Sequence, residues 1–241
     1  MQQRVVFCWS GGKDSALALN RLLRDERYEV VALLTTCNEP LQRVCMHGVR
    51  VALLEAQAEA IGLPLRKVFV TEGASNEEYL EKMAACLMEL KALGVSACAF
   101  GDIFLEDLRA WREQNLAQIG MRGIFPIWKA DPSALLREFF EQRFESVVCC
   151  ISDAWLDESM VGRRFDQTFL HALPAAVDPC GENGEFHSFA FAGPIFRQSV
   201  RFEIGAKLYR PLEQTISDSS SDARPERRAT RGFWFCDLLP A

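Results

Sequence analysis

The sequence predicts an α/β protein, a doubly wound parallel sheet followed by a smaller C-terminal α+β domain. Three observations predict it. Short apolar runs alternate with longer Leu-, Ala-, Glu- and Arg-rich helical patterns through the first two-thirds of the 241 residues. The short runs are almost continuously apolar, as strands covered on both faces must be. After about Asp153 the alternation stops and Gly, Pro and Phe become frequent. Regular strand–helix alternation implies right-handed βαβ crossovers, and such sheets bind ligands beyond the C-terminal ends of their strands.

Taken in order, residues 5–9 form a first strand that ends at a glycine turn, and residues 13–24 a helix. Strands follow at 30–35, 65–70, 97–100, 123–127 and 146–151, separated by helices at 48–61, 76–93, 105–119 and 132–142. Each helical stretch is long enough for a crossover. Residues 1–153 are thus expected as one domain and 154–241 as a second. In the second, a helix is expected over 157–173 and strands over 199–203 and 232–238. Residues 213–231 are Ser-, Asp- and Arg-rich and read as a mobile loop.

Composition narrows the function classes. Hydrophobic residues make up 49% and charged residues 25%, ordinary values for a globular protein. A net charge of −6 argues against a nucleic-acid partner, which calls for a basic face. The N-terminal apolar run is too short for a signal peptide, and no uncharged run reaches the roughly 20 residues that span a bilayer. Nine cysteines are present, none spaced C-x-x-C, and read as reduced thiols of a cytoplasmic protein. Cys8, Cys98, Cys149 and Cys150 sit in apolar runs as small hydrophobes.

The glycine turn reads Ser10-Gly11-Gly12-Lys13-Asp14-Ser15 between a strand and a helix. Two glycines allow positive φ and close backbone approach. The helix start offers free N–H groups and the positive end of a dipole. With two hydroxyls and a lysine added, this is a phosphate cradle. It is neither a Walker loop nor a dinucleotide fingerprint, because the glycine spacing fails both. It resembles, residue for residue, the S-G-G-x-D-S loop of the PP-loop ATP pyrophosphatases. That resemblance implies that Ser10, Gly11, Gly12, Lys13 and Ser15 hold the β,γ-diphosphate of ATP with Mg²⁺ nearby. Asp14 would order the loop or bind the metal, ATP would be cleaved between its α and β phosphates, and adenine would lie near Leu34, Thr35 and Thr36.

A second constellation reads Asp178-Pro179-Cys180-Gly181-Glu182-Asn183-Gly184-Glu185-Phe186-His187-Ser188. Gly181 and Gly184 suggest tight turns that converge neighbouring side chains. Glu182 and Glu185 have the chemistry to bind Mg²⁺ or an ammonium group, or to accept a proton from an attacking amine; a solvated polar hairpin is the alternative. Together with the first loop, the G-E-x-G-E-[FY] pattern resembles the diphthine–ammonia ligase family, over roughly residues 4–212. Met46-His47-Gly48, Gly101-Asp102-Ile103 and Phe125-Pro126-Ile127-Trp128 match as well. The resemblance implies a Rossmann-like domain of the adenine nucleotide alpha hydrolase type, with a glutamate motif of the smaller domain facing the nucleotide. The family activity is ATP-dependent amidation of diphthine, a modified histidine on an elongation factor. Family members typically read G-E-x-G-E-[FY]-E-[ST], whereas His187 stands here in place of the last glutamate, as in a bacterial-looking branch.

Lys13, Asp14, Glu182, Glu185 and His187 are therefore the expected catalytic residues. His47, Gly101 and Asp102 join the nucleotide-binding set from their places at the strand ends. Asp102 as a helix cap and Trp128 as a core or pocket-wall residue stay open. His171, Arg109 and Arg112 read as structural or solvated, and Phe233-Trp234-Phe235 as a packing strand rather than a binding platform. The expected chemistry is adenylation of a carboxylate, protein-borne or small, and displacement of AMP by ammonia or an amine. A homodimer is expected. The alternatives are amidation of a small metabolite, tRNA modification, or nucleotide binding without turnover.

Overall fold

A computed structural model describes residues 2–71, 73–212 and 230–241. Its elements run β1 (Gln3–Cys8), α1 (Lys13–Leu23), β2 (Tyr28–Asn38), β3 (Arg43–Val44), α2 (Val51–Ile61), β4 (Leu65–Val70) and α3 (Asn76–Ala92). They continue with β5 (Ala97–Ala99), α4 (Glu106–Gln118), β6 (Arg122–Ile124), α5 (Pro132–Glu141), β7 (Glu145–Ser152), a 3₁₀ turn (Glu158–Met160), α6 (Gln167–His171), β8 (Phe186–Ala192), β9 (Phe202–Pro211) and β10 (Gly232–Pro240).

The first sheet is parallel in the order β4-β2-β1-β5-β6, with β3 added antiparallel at the end of β2. The chain winds outward from β1 through β2 to β4, then returns to β5 on the other side of β1. The strand order therefore reverses between β1 and β5, and the crevice outside their C-terminal ends is where doubly wound sheets take ligands. Val5, Val6 and Phe7 on β1 are fully buried, as a central strand covered on both faces requires. The expected Rossmann-like core is present, joined to a smaller C-terminal sheet.

That second sheet is antiparallel, in the order β8-β7-β10-β9. The run 146–151, expected as the last strand of the parallel sheet, belongs here instead. β7 is buried on both faces apart from its first residue, so its apolar run carries no trace of which sheet it joins. The helix expected over 157–173 is also absent as one element. Gly162 adopts φ +83° and the following residues run extended beside β7, with Val148 N–H donating to Arg163 O and Phe165 N–H to Ser146 O. Only the 3₁₀ turn and α6 remain helical. The strand expected over 199–203 begins later, at Phe202, and continues to Pro211. Most of the expected polar loop, residues 213–229, lies outside the described residues. Among the described residues no helix is long and apolar enough to cross a membrane. All nine cysteines are free thiols.

Candidate functional site

The crevice between β1 and β5 opens into a cavity of about 1020 Å³ that reaches from the Ser10–Ser15 turn to the strands of the second sheet. The turn is held open by packing. Gly11 sits at φ +81°, and a methyl group there would come within 2.8 Å of Gln57 Oε1. A methyl at Gly12 would come within 2.9 Å of His47 Cε1, and one at Gly101 within 3.0 Å of the Ser15 backbone. Gly101 is thus the clearance that lets α1 start against the end of β5. The Ser10 and Ser15 hydroxyls lie 2.8 Å apart, and Ser10 Oγ accepts from Gly12 N–H at 3.2 Å. Leu34, Thr35 and Thr36 line the cavity from β2, with Thr35 Oγ1 donating to Trp9 O at 2.5 Å.

The second sheet completes the turn. Ser188 on β8 accepts Lys13 N–H at 3.1 Å, and Ala190 N–H donates to Gly11 O at 2.8 Å. Gln57, fully buried on α2, donates to Gly11 O at 3.0 Å and Ala190 O at 2.6 Å while accepting Trp9 Nε1–H at 2.9 Å. Neither Ser188 nor Gln57 is singled out by the sequence reading. Gln57 is visible in hindsight as a polar residue on the apolar face of its helix; Ser188 has no local signal, because its partner is 175 residues away.

Lys13 points away from open solvent, with 4% of its surface exposed. Its ammonium donates to Asp14 Oδ2 at 2.7 Å and to Cys180 O, and lies 5.5 and 5.3 Å from the centres of the Phe165 and Phe186 rings. Burial pulls its pKa down, but Asp14 and the electron-rich groups around Cys180 and Glu182 more than reverse this, and the net direction is upward. The lysine is charged throughout the physiological range. Burial raises the Asp14 pKa, with Asp178 adding to the rise and Lys13 opposing it.

The two glutamates of the 178–188 segment separate. Glu182 faces the cavity and accepts Ile103 N–H through Oε1 at 2.7 Å. Burial, aided by the negative charge of Asp14, pushes its pKa up to about 7 against the opposing Ile103 hydrogen bond. Glu185 is 1% exposed and turns into its own loop, where Oε1 accepts Asp178 N–H and Asn183 Nδ2–H, both at 3.1 Å. Asp178 in turn accepts Cys180 N–H at 3.2 Å and Glu182 N–H at 2.9 Å. Gly181 and Gly184 take positive φ, as the tight turns need. Glu185 therefore braces the turn that aims Glu182, and does not line the cavity.

His47 and His187 stack with ring centres 4.6 Å apart, at the wall next to Gly12. His47 Nδ1 lies 3.2 Å from Ser188 O. Burial pulls the His47 pKa down to about 4, and burial together with His47 and Lys13 takes His187 well below the usual imidazole range. Both rings are neutral at physiological pH, and His187 Nε2 is buried with no hydrogen-bond partner among the described residues.

Asp102 lines the cavity and accepts Arg112 Nε–H at 2.8 Å and Nη2–H at 3.2 Å; it does not cap a helix. This corrects the expectation that Arg112 is solvated: it is turned inward, 4.3 Å over the Phe100 ring. Arg109 is likewise stacked, 4.6 and 4.7 Å over Phe125 and Trp128. Trp128 belongs to that stack and not to the cavity wall. Phe235, expected only to pack, does line the cavity, lying against Gly48. His171 is exposed on α6, away from the site. Among the described residues no group of three or more His, Cys, Asp or Glu is arranged to hold a metal.

Comparison with known proteins decides the family. Residues 3–123 match the diphthamide synthase N-terminal domain and residues 131–215 the diphthamide synthase C-terminal domain. The chain belongs to the diphthamide synthase family. It is similar to the diphthine–ammonia ligase of Danio rerio, 25% identical with 82% of this chain and 85% of the relative covered. The Homo sapiens diphthine–ammonia ligase is 23% identical, with 82% of each chain covered. The chain is accordingly an enzyme, an ATP-dependent ligase, and neither the tRNA-modifying reading nor the non-catalytic one is favoured. In this ligase the Ser10–Ser15 turn and Glu182 line one cavity, although Ser15 and Glu182 stand 167 positions apart in the sequence.

Proposed function

We propose that this ligase is AMP-forming and joins a carboxylate to ammonia or an amine. The carrying observation is that the Ser10–Ser15 turn and the Glu182 carboxylate line the same cavity. The substrate carboxylate attacks the α-phosphorus of ATP, an acyl–O–P bond forms and the α,β-bridging P–O bond breaks. Pyrophosphate leaves into the turn, where the hydroxyls of Ser10 and Ser15 and the α1 amides that follow Lys13 meet its charge. Ammonia then attacks the acyl carbon, the acyl–O bond breaks, and AMP departs. The amine proton passes to Glu182, whose pKa near 7 suits a group that must accept a proton at neutral pH. Asp14 fits Mg²⁺, since one part-exposed carboxylate suffices when the nucleotide's own phosphate oxygens supply further ligands. Bound there, Mg²⁺ would neutralise charge on the leaving pyrophosphate.

Glu182 is the proton acceptor in this reading and Glu185 its brace. Leu34, Thr35 and Thr36 border the nucleoside, and His47 and His187 form the neutral wall beside the turn. The named relatives are diphthine–ammonia ligases, which supports ammonia as the amine donor. His187 replaces a glutamate of the family pattern with a neutral ring, which supports a carboxylate other than diphthine. Incubation with ATP, ammonium and candidate acids should release AMP and pyrophosphate in equal amounts. Release of ADP and phosphate would refute the assignment.

A further inference from the structure

The end of the cavity away from the Ser10–Ser15 turn has its own chemistry. A chain of contacts leads there: His47 lies against Gly12, and the next residue, Gly48, lies against the Phe235 ring. The Arg210 guanidinium sits 5.9 Å over that ring. Arg43, Arg210 and Asp237 supply the charge at this end, and Met46, Leu208 and Phe235 the apolar surface.

The charges do not balance. Asp237 is the one carboxylate lining this end among the described residues, and it is already engaged by two guanidiniums. It accepts from Arg43 Nη1 at 2.9 Å, from Arg50 Nε at 3.0 Å and from Arg50 Nη2 at 2.6 Å. These guanidiniums hold its pKa down to about 2. Arg43 uses only Nη1, for Asp237 and Gly48 O, so its Nε and Nη2 donate to nothing among the described residues. Arg210 makes no hydrogen bond and no ion pair among them. Guanidinium donors in excess, in a fixed fork beside apolar surface, match a carboxylate or phosphate carried on an apolar stem. Met46 adds a second sign. It holds left-handed φ of +64° and exposes 65% of its surface, a combination of backbone strain and wasted apolar area that a bound stem would offset.

We propose that this end is a subsite for a second anionic group of the substrate, carboxylate or phosphate, in addition to the carboxylate that is adenylated. The proposal rests on the ligase reading of the previous section. It makes the substrate a diacid, held by Arg43 and Arg210 at one end while the other end reaches the nucleotide past His47.

Isothermal titration of the AMP-saturated protein with glutarate, its monoamide and 4-phosphonobutanoate tests this. The two diacids should bind at least about tenfold more tightly than the monoamide, the scale of one charge-assisted guanidinium contact. The tighter of the two identifies the group as carboxylate or phosphate. Arg210→Met, at an exposed position that leaves the fold intact, should bring both diacids to the monoamide's level with AMP affinity unchanged, and Arg43→Met should do the same. Equal binding of all three probes, no binding of any, or unchanged diacid affinity in Arg210→Met would overturn the subsite. Pyrophosphate release separates the two proposals. Diacid binding with no pyrophosphate from any acid leaves the subsite and sinks the ligase reading; equal pyrophosphate release with glutarate and its monoamide does the reverse.

Discussion

Glu182→Gln is the substitution that most directly tests the site. The amide keeps the side-chain oxygen that accepts Ile103 N–H at 2.7 Å, so the segment that carries it stays in place. What it loses is the ability to take a proton. With the carboxyl pKa at about 7, roughly a tenth of Glu182 is ionised at pH 6 and nearly all at pH 8.5, so the wild-type rate of amide formation should rise about tenfold over that interval and level off. Loss of a general base costs roughly 10²–10⁴ in rate, and the inflection near pH 7 should vanish with it. Stability should move the other way. The folded-state pKa lies above the usual 4.5, so the folded chain holds this proton more tightly than the unfolded one. Stability from this group is therefore greatest below about pH 4.5, falls as pH rises to about 7 and is constant above. At about 1.4 kcal/mol per pH unit the ceiling on that loss is near 3 kcal/mol. Glu182→Gln should accordingly melt several degrees higher than wild type at pH 8 and show no such gain at pH 4.5. Stopped-flow measurement of AMP release across pH 5.5–9, with thermal melts at both ends, reads both effects. Activity within threefold of wild type, or a surviving inflection near pH 7, would refute the assignment of Glu182 as proton acceptor.

Three further outcomes follow from the packing around the turn. Gly101→Ala places a methyl 3.0 Å from the Ser15 backbone and should displace the start of α1, costing about 1–3 kcal/mol and raising the KM for ATP; an unchanged KM would show that α1 yields without moving the turn. Ser188→Ala removes the hydroxyl that caps Lys13 N–H and should cost about 1 kcal/mol, a drop of roughly 2–4 °C in Tm read by calorimetry. Asp14→Asn leaves the Lys13 ammonium buried without its counter-charge; the part exposure of Asp14 keeps the loss near the low end of about 3–5 kcal/mol, and denaturant titration should show it together with loss of pyrophosphate release.

The parallel sheet was legible because its central strands, β1 and β5, are largely buried on both faces and its crossovers are long, which leaves period and length as sufficient signals. The glycine turn between β1 and α1 was legible because two adjacent glycines follow an apolar run and precede a helical pattern. β7 was not assigned to its sheet, because a strand covered on both faces reads the same in parallel and antiparallel surroundings. The 157–173 segment was misread as helix because its Leu, Phe and Arg content suits one, and nothing local shows that its backbone hydrogen bonds go to β7 instead. Arg112 was misread for the same reason: its partner Asp102 lies on the preceding connection, and the aromatic ring beneath it, Phe100, directly follows β5. The division between Glu182 and Glu185 was invisible, since both stand in equivalent Gly-Glu steps and only the fold of the turn shows which one faces out.

Lys13 shows what a motif match leaves open. The string predicts a cation beside a phosphate turn, and the simplest expectation aims it at the phosphate. The structure gives its ammonium to Cys180 O and Asp14, beside the neighbouring rings of Phe165 and Phe186, all but one of them in the C-terminal part of the chain. Its backbone N–H goes to Ser188, and the carbonyl of Gly11 takes Ala190 N–H. The turn is therefore tied to β8 by two backbone-level contacts and to the 178–185 loop by a buried charge. Cys180 is two residues from Glu182, so the ammonium that anchors the turn also sets where the carboxylate stands. On the proposed mechanism, a shift of the turn as pyrophosphate forms would be passed toward Glu182 through the Lys13 contacts with Asp14 and Cys180 O. On the proposed mechanism Asp14 bears on both steps, because its carboxylate accepts from the Lys13 ammonium and its charge raises the Glu182 pKa, and Asp14→Asn is therefore predicted to lose more than nucleotide affinity.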